Sequence, residues 1–563
     1  MLSGSWGIGL ERCCIPVYVF RSYMVCHDDF TRVDYGGRLK TQENFLSPSP
    51  SYFKRSRRVG IQAAILKALA KVPDTMDEPA PKRLRGESKH EENGTCAESS
   101  GIPQWVIHAL YSESVTAKLW NVASRALGKA EPPTFFPEYT GKDGATYVYR
   151  HLSFWTSGFF PGSLYLLLER QAKNNSSTEP CTPHPLVLQH LCQWWTVNLH
   201  QNATLNTTHD LGFMIAPWAI KAWELHRDAR AFSSLVTAAN TLASRFCPKV
   251  QSIRSWDTCV TKRYSFTDPS RDFLVIIDNM LNLDMLFWVA KETGNRHLYD
   301  VALAHARTTQ RHHIRANHST YHVVNFDQET CTPKEKLTNQ GYSDESCWAR
   351  GQAWGILGFV QTFQWTGDPS FLQTSRQLAD YFIKNLPGDG VPYWDFDAPV
   401  TSDSPRDTSA AMIASCGMLL IYKALRAQGK YDESEHYLVA VKRIVEGTLS
   451  KFLNPPTFKF IVQPSNRGIE TYEDGLPCDH EEKPEPGFLA VSESAATNGM
   501  NGRGVNGTES KKPVAETILT GATINNYEFA PRRWANHGLV YADYYFMLLG
   551  NMLLELGLVP SLP

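Results

Sequence analysis

The sequence has no excess of either charge: 56 Lys and Arg stand against 57 Asp and Glu, for a formal net charge of −1. A general nucleic-acid binder carries a basic excess, so no nucleic-acid partner is expected, while a local basic pocket for an acidic ligand stays open. The 12 cysteines include no CxxC pair, which removes the usual structural zinc spacings. His312, His313, His318 and His322 form a His-rich stretch, but no Cys or acidic ligand pattern accompanies them, so neither a metal nor a cofactor is expected. No apolar run of roughly 18 residues reads as a membrane span, and no membrane partner is expected. Arg12, Arg21 and His27 interrupt the N-terminal stretch, which therefore lacks the apolar region of an export signal. The expectation is a cytoplasmic protein with reduced thiols, monomeric or weakly homo-oligomeric. No Walker loop, no GxGxxG between a strand and a helix and no GxSxG elbow occurs, so nucleotide cradling and serine-elbow hydrolysis are set aside.

Aromatics, by contrast, are plentiful. Fifteen Trp occur, many of them between residues 155 and 394. Tryptophan needs a partner for its N–H when buried, so such a density fits a large core or a sugar-stacking cleft.

Two segments differ from the rest in composition. Residues 1–102 carry the basic cluster KRSRR from Lys54 and then a Pro- and charge-rich stretch, and are expected to form a poorly ordered extension and linker. A stretch at about 464–512, rich in Asn, Gly, Ser and Glu, is expected to be a mobile insertion in a catalytic domain spanning 103–563. Within that domain apolar residues recur at three- and four-residue spacings. The pattern predicts helices near 103–127, 156–173, 185–199, 212–226, 229–246, 272–293, 296–315, 346–366, 369–385, 406–427, 431–452 and 535–556. The turns TGN from Thr293 and TGD from Thr366 each read as a helix end followed by a helix start, which suggests repeated helical hairpins. Twelve helices in pairs are compatible with an all-α fold of the (α/α)6 barrel type.

Three segments carry candidate chemistry. In LVIIDNMLNLDMLFWVAKETGN, Asp278 lies on an apolar face with Asn282 one turn on. A buried carboxylate needs a partner or a raised pKa, so catalytic and structural readings are both open. In HDLGFMIAPWAIKAW, Asp210 precedes an apolar helix, where capping is the plainer role and pairing with Asp278 the functional one. In NQGYSDESCWARGQAW, Arg350 and Trp354 share a helix face. Arg350 offers a fork for a carboxylate and Trp354 a surface for a sugar; alternatively Arg350 pairs with a structural acid such as Asp344 or Glu345 and Trp354 joins the core. In VPYWDFDAP, Asp395 and Asp397 read as turn formers ahead of substrate ligands.

Taken in order, WTSGFFPG, HDLGF, IIDNMLNL, GYSDESCWARGQAWGILGF, YWDFDAP and DTSAAMIASCGML resemble the unsaturated glucuronyl hydrolases, glycoside hydrolase family 88, over residues 105–455, with HGLVYADYYFMLLG resembling the family's closing helix. The resemblance implies an (α/α)6 barrel and an unsaturated uronic-acid oligosaccharide as substrate. It implies hydration of a 4,5 double bond, with Asp278 as acid/base and Asp210 in support. By the same resemblance His209, His322, Gln340, Arg350 and Trp354 belong to the pocket, and Trp155 and Trp348 stack on sugar. Two alternatives stand beside it: an unsaturated rhamnogalacturonyl hydrolase of the same chemistry, and a non-catalytic carbohydrate-binding barrel.

Overall fold

Two turns display the local logic of the chain. Gly294 and Gly367 take φ of 70° and 69°, the left-handed conformation that glycine reaches without a Cβ penalty, and each ends a helix. The next helix begins at once: the Asn295 side chain accepts the backbone N–H of His297 at 3.1 Å, and Asp368 accepts that of Ser370 at 2.9 Å. Helical hairpins result, as the TGN and TGD signals predict.

The computed structural model describes residues 101–173, 183–461, 489–492 and 514–559. The expected extension 1–102, apart from its last two residues, and the expected insertion 464–512, apart from 489–492, lie outside the described residues. Among the described residues the helices are α1 (Gln104–Leu110), α2 (Glu113–Ser124), α3 (Phe159–Lys173), α4 (Pro185–Thr196), α5 (Leu211–His226), α6 (Ala229–Ala243), α7 (Leu283–Thr293), α8 (Arg296–His312), α9 (Ala349–Thr366), α10 (Pro369–Lys384), α11 (Thr408–Ala427), α12 (Tyr431–Phe452) and α13 (Val540–Glu555).

The odd-numbered helices from α3 to α13 pack in sequence, each on the next, and α13 packs back on α3, so the order of contacts is circular. Helices α4, α6, α8, α10 and α12 each pack on the helix before them. Composition sorts the two sets. The first set is apolar nearly all round: α11 buries residues from Thr408 through Leu419 without a break. By length and composition α11 would also suit a membrane, yet it lies mostly buried among its neighbours. The second set is amphipathic; α10 buries Phe371, Leu378 and Phe382 and turns its polar face outward.

Short strands fill the links. β1 (Phe135–Thr140) and β2 (Tyr147–His151) form an antiparallel hairpin. β3 (Phe273–Ile276), β4 (Val323–Phe326) and β5 (Pro333–Leu337) form an antiparallel sheet of order β3–β4–β5, with Phe273 opposite Phe326 and Ile276 opposite Val323.

Two expected helices are corrected. The span 103–127 is broken between α1 and α2 at Tyr111 and Ser112. The span 272–293 is not one helix: Phe273–Ile276 is a strand, Ile277–Leu281 a 3-10 turn, and only Leu283–Thr293 is α-helical. A short apolar run does not distinguish strand from helix. Here Val275 and Ile276 favour the extended form, and the VVNF segment at 323–326 supplies a partner.

Candidate active site

Each helix of the ring contributes a residue near its N-terminal end to one cluster. Trp155 precedes α3, Asp210 holds the cap position of α5 and Asp278 lies on the 3-10 turn ahead of α7. Arg350 is the second residue of α9, Asp407 caps α11, and Tyr541 is the second residue of α13. The Arg350 guanidinium lies 2.6 Å from Asp407 and 5.4 Å from the Tyr541 ring centre, and Tyr541 lies 5.1 Å from Trp155. Helix N-termini carry partial positive charge, so their convergence favours an anionic ligand.

The two carboxylates are in opposite states. Asp210 occupies a cap position, but its side chain caps nothing, which corrects the capping reading. One oxygen faces His209 Nε2 at 3.2 Å, and the other accepts the Thr208 hydroxyl at 2.5 Å. Burial pushes its pKa up, but His209, Thr208 and Arg245 outweigh that push and hold it below the ordinary Asp value. Asp278 goes the other way. Burial, with the Asp210 charge adding to it, raises its pKa to about 7 against the opposing pull of His209 and Arg350. Its Oδ1 is buried without a hydrogen-bond partner. Near neutral pH Asp278 therefore holds its proton part of the time beside an ionised Asp210, the split that separates an acid from an anion.

The other expected residues divide. His209 is buried and leaves Nδ1 without a partner. The Nδ1 of His322 accepts the Asn339 backbone N–H at 3.1 Å, so the neutral ring carries its proton on Nε2, which is buried and unpartnered. Burial, followed by the charges of Arg350 and His313, keeps that ring neutral. Gln340 donates to the Ile524 carbonyl at 2.7 Å. Trp155 is half-buried.

Arg350, Trp348 and Trp354 are buried and engaged by other groups of the cluster. The Arg350 Nη1 is bonded to Asp407 and the Thr523 carbonyl, and Nη2 to the Ile524 carbonyl at 2.7 Å. Those are the nitrogens a substrate carboxylate would meet side by side. The acid that pairs with Arg350 is thus Asp407; Asp344 pairs instead with Arg263 at 2.7 Å, and Glu345 is an exposed neighbour of Arg315. Trp354 is fully buried against Phe213 and Tyr545, with ring centres 5.2 and 5.6 Å away. Trp348 is 2% exposed and lies between His322 at 4.4 Å and the Arg350 guanidinium at 4.6 Å. Neither tryptophan presents a free face to a sugar. Asp395 and Asp397 hold a loop: Asp395 accepts the Tyr342 N–H at 2.8 Å and the Ser346 hydroxyl at 2.7 Å, and Asp397 accepts the Cys347 N–H at 2.8 Å.

Asp407, Tyr541, Thr208 and Trp256 were not singled out from the sequence. Asp407 opens DTSAAM, an N-cap pattern, and Tyr541 sits in HGLVYADYYF, so two of the four had a local signal. Trp256 joins the cluster through a β-bridge with Thr208 and a ring contact with His322 at 6.5 Å.

No protein-family model matches the chain. Solved structures share its fold. A heparin-specific unsaturated glucuronyl hydrolase aligns with a TM-score of 0.59 at 24% identity, over 81% of this chain and 98% of that one. The unsaturated glucuronyl hydrolase of Bacillus sp. GL1 aligns with a TM-score of 0.60 at 23% identity, over 80% and 97%. In sequence, the chain is 36% identical over 271 residues to an unsaturated glucuronyl hydrolase of Formosa agariphila, covering 48% of this chain and 63% of that relative. It is 31% identical over 323 residues to an unsaturated chondroitin disaccharide hydrolase of Streptococcus pyogenes serotype M1, covering 57% of this chain and 75% of the relative. The class is thus that of the glycoside hydrolases. Within it, the chain belongs to the unsaturated glucuronyl hydrolase family.

Proposed function

We propose that the chain releases a 4,5-unsaturated uronic acid from the non-reducing end of oligosaccharides made by polysaccharide lyases. The fold we assign is the (α/α)6 barrel, supported by the closed order of helix contacts. The carrying observation is the pair of unlike carboxylates at the helix N-termini, one raised to about 7 and one depressed.

The substrate double bond is a vinyl ether, because ring oxygen O5 is attached to C5. Protonated Asp278 delivers its proton to C4, and the π electrons form the new C–H bond. Positive charge develops at C5 and on O5, where ionised Asp210 and the Asp278 carboxylate just formed are electrostatic counterweights. Water then adds to C5 and returns a proton to Asp278. The C5 hemiketal opens by cleavage of its bond to O5, leaving a hemiacetal at C1 whose collapse expels the remaining saccharide. No displacement at the anomeric carbon occurs, so the separation rule for retaining and inverting glycosidases does not govern this pair.

Recognition of the substrate carboxylate falls, in this reading, to the converging helix N-termini and to the charge of Arg350 behind the cluster wall, with Trp155 as the sugar platform. The test is loss of double-bond absorbance with unsaturated chondroitin, hyaluronan and heparin disaccharides beside unsaturated rhamnogalacturonan. Consumption of the first group is expected. Preference for rhamnogalacturonan would select the alternative hydrolase, and binding without consumption would select a non-catalytic barrel.

A further inference from the structure

Asp210 and Asp278 belong to segments far apart in sequence, and two buried polar residues join those segments on either side of the pair, Ser255 through its backbone carbonyl and its hydroxyl and Asn282 through its side-chain amide. Ser255 is fully buried. Its carbonyl accepts the His209 backbone N–H at 3.2 Å, and its hydroxyl accepts the Ile276 backbone N–H at 3.0 Å. Its own N–H reaches the Leu274 carbonyl at 2.8 Å. Ser255 thus ties the residue before Asp210 to the strand that leads into Asp278. Asn282 is also fully buried. Its Oδ1 accepts the Phe213 backbone N–H at 3.2 Å, and its Nδ2 donates to Asn279 Oδ1 at 3.2 Å. Asn282 thus ties the first turn of α5 to the residue after Asp278. Gly212 makes the junction tight: a Cβ there would lie 2.6 Å from Asn282 Cα.

Neither residue carries a charge, and neither has a place in the proton transfer itself. The Ser255 carbonyl also accepts from Arg245 at 3.2 Å, but the other bonds described for this serine and asparagine run within or between the two acid-bearing segments, which fits the role of spacers. Spacing has a direct chemical consequence, since the interaction of two like charges scales inversely with distance and is weakly screened inside a protein. The charged and titratable groups facing Asp278 are His209 and Asp210 ahead of α5, Arg350 on α9 and Tyr541 on α13. Of these, the two on the α5 side move with the junction.

We infer that Ser255 and Asn282 are positioning residues that set the separation of Asp210 and Asp278. The inference rests on the reading of Asp278 as the acid/base. The test uses Ser255→Ala and Asn282→Ala in the full chain, singly and together. The titration of Asp278 is followed directly by carboxyl carbon NMR, with Asp278→Asn assigning the signal, and kcat and KM are measured on an unsaturated disaccharide. Each variant is expected to lose about 10- to 100-fold in kcat with little change in KM, as for an ångström-scale misplacement. The Asp278 midpoint should move down by about half a unit or more as the Asp210 anion recedes and water enters. Ser255→Thr, which keeps the hydroxyl, should restore the midpoint. If the double variant does not fold, the single variants decide. An unchanged midpoint, with or without a fall in activity, overturns the proposal and leaves both residues as scaffolding. A wild-type Asp278 that titrates like an ordinary carboxyl, or undiminished turnover in Asp278→Asn, overturns the acid/base reading instead.

Discussion

At Asp278, burial is the largest influence and the nearby Asp210 anion reinforces it, so in the proposed reaction the carboxyl serves as the acid only while pH stays below about 7. The value of kcat/KM is therefore expected to fall as pH rises through about 7, and a profile flat to pH 9 would remove Asp278 from the acid role. Asp210, held below the ordinary range, is ionised throughout and does not set that limb. Asp278→Asn should lower turnover by about 10²- to 10⁴-fold, the usual contribution of a positioned acid/base, with an unchanged circular dichroism spectrum. The same substitution carries a stability signature. The folded carboxyl binds its proton more tightly than the unfolded one, so wild-type stability is lost as pH rises from about 4 to about 7. Asparagine has no charge to bury. The variant should melt above wild type at pH 8 and gain less at pH 5; equal gains at both would contradict a raised Asp278.

At the scale of elements, the turn that bears Asp278 is wedged against α9. A Cβ on Gly358 would lie 2.5 Å from Met280 Cβ and 3.1 Å from its carbonyl carbon. Gly358→Ala should therefore displace the turn that bears Asp278, costing about 1–3 kcal/mol in denaturant unfolding and lowering kcat together with it. A variant of wild-type stability and rate would show that the turn yields freely. The Arg350–Asp407 pair couples α9 to α11 and to the extended segment through Thr523 and Ile524. Arg350→Ala leaves the Asp407 carboxylate buried and alone, with a loss of about 3–5 kcal/mol. If that variant kept the wild-type Tm and only raised KM, Arg350 would be a substrate clamp after all.

For the whole molecule, the raised carboxyls set the upper edge of stability. Asp543 at the start of α13 accepts the backbone N–H groups of Ile518 and Leu519 at 2.9 Å each and the Tyr147 hydroxyl at 3.0 Å. Burial nonetheless raises its pKa to about 7. Asp543 and Asp278 thus both contribute stability that is complete below about pH 4 and is lost as pH rises through about 7. Asp389 acts in the opposite sense: Lys451 and Arg406 overcome its burial and lower its pKa to about 2, so its contribution is present above about pH 4 and lost below. Maximum Tm is expected on the acidic side of neutrality. A combined Asp278→Asn, Asp543→Asn variant should flatten the fall between pH 5 and 8, and a fall as steep as in wild type would place its source elsewhere.

Most helices, and the two glycine turns between them, were legible in the sequence because they depend on neighbours three and four residues away. The residues brought to the site were legible as motifs, but not all of their roles were. Asp278 on a helix was a local inference that failed, because Val323–Phe326, nearly fifty residues on, offered Phe273–Ile276 a strand partner. The partner of Arg350 is not one of its near neighbours in sequence: Asp407 arrives from the next helix of the ring and the two carbonyls from beyond residue 520. Trp354 reads in sequence as fit to stack on sugar or to fill the core, since composition is silent on burial, and Trp348 enters as a stacking residue only by resemblance. By itself the sequence determined the paired helices, their caps and the acidic residues available for chemistry. Closure of the ring decided the rest: it set Asp278 beside Asp210 in a poorly hydrated place, where distance and burial make one an acid and leave the other an anion.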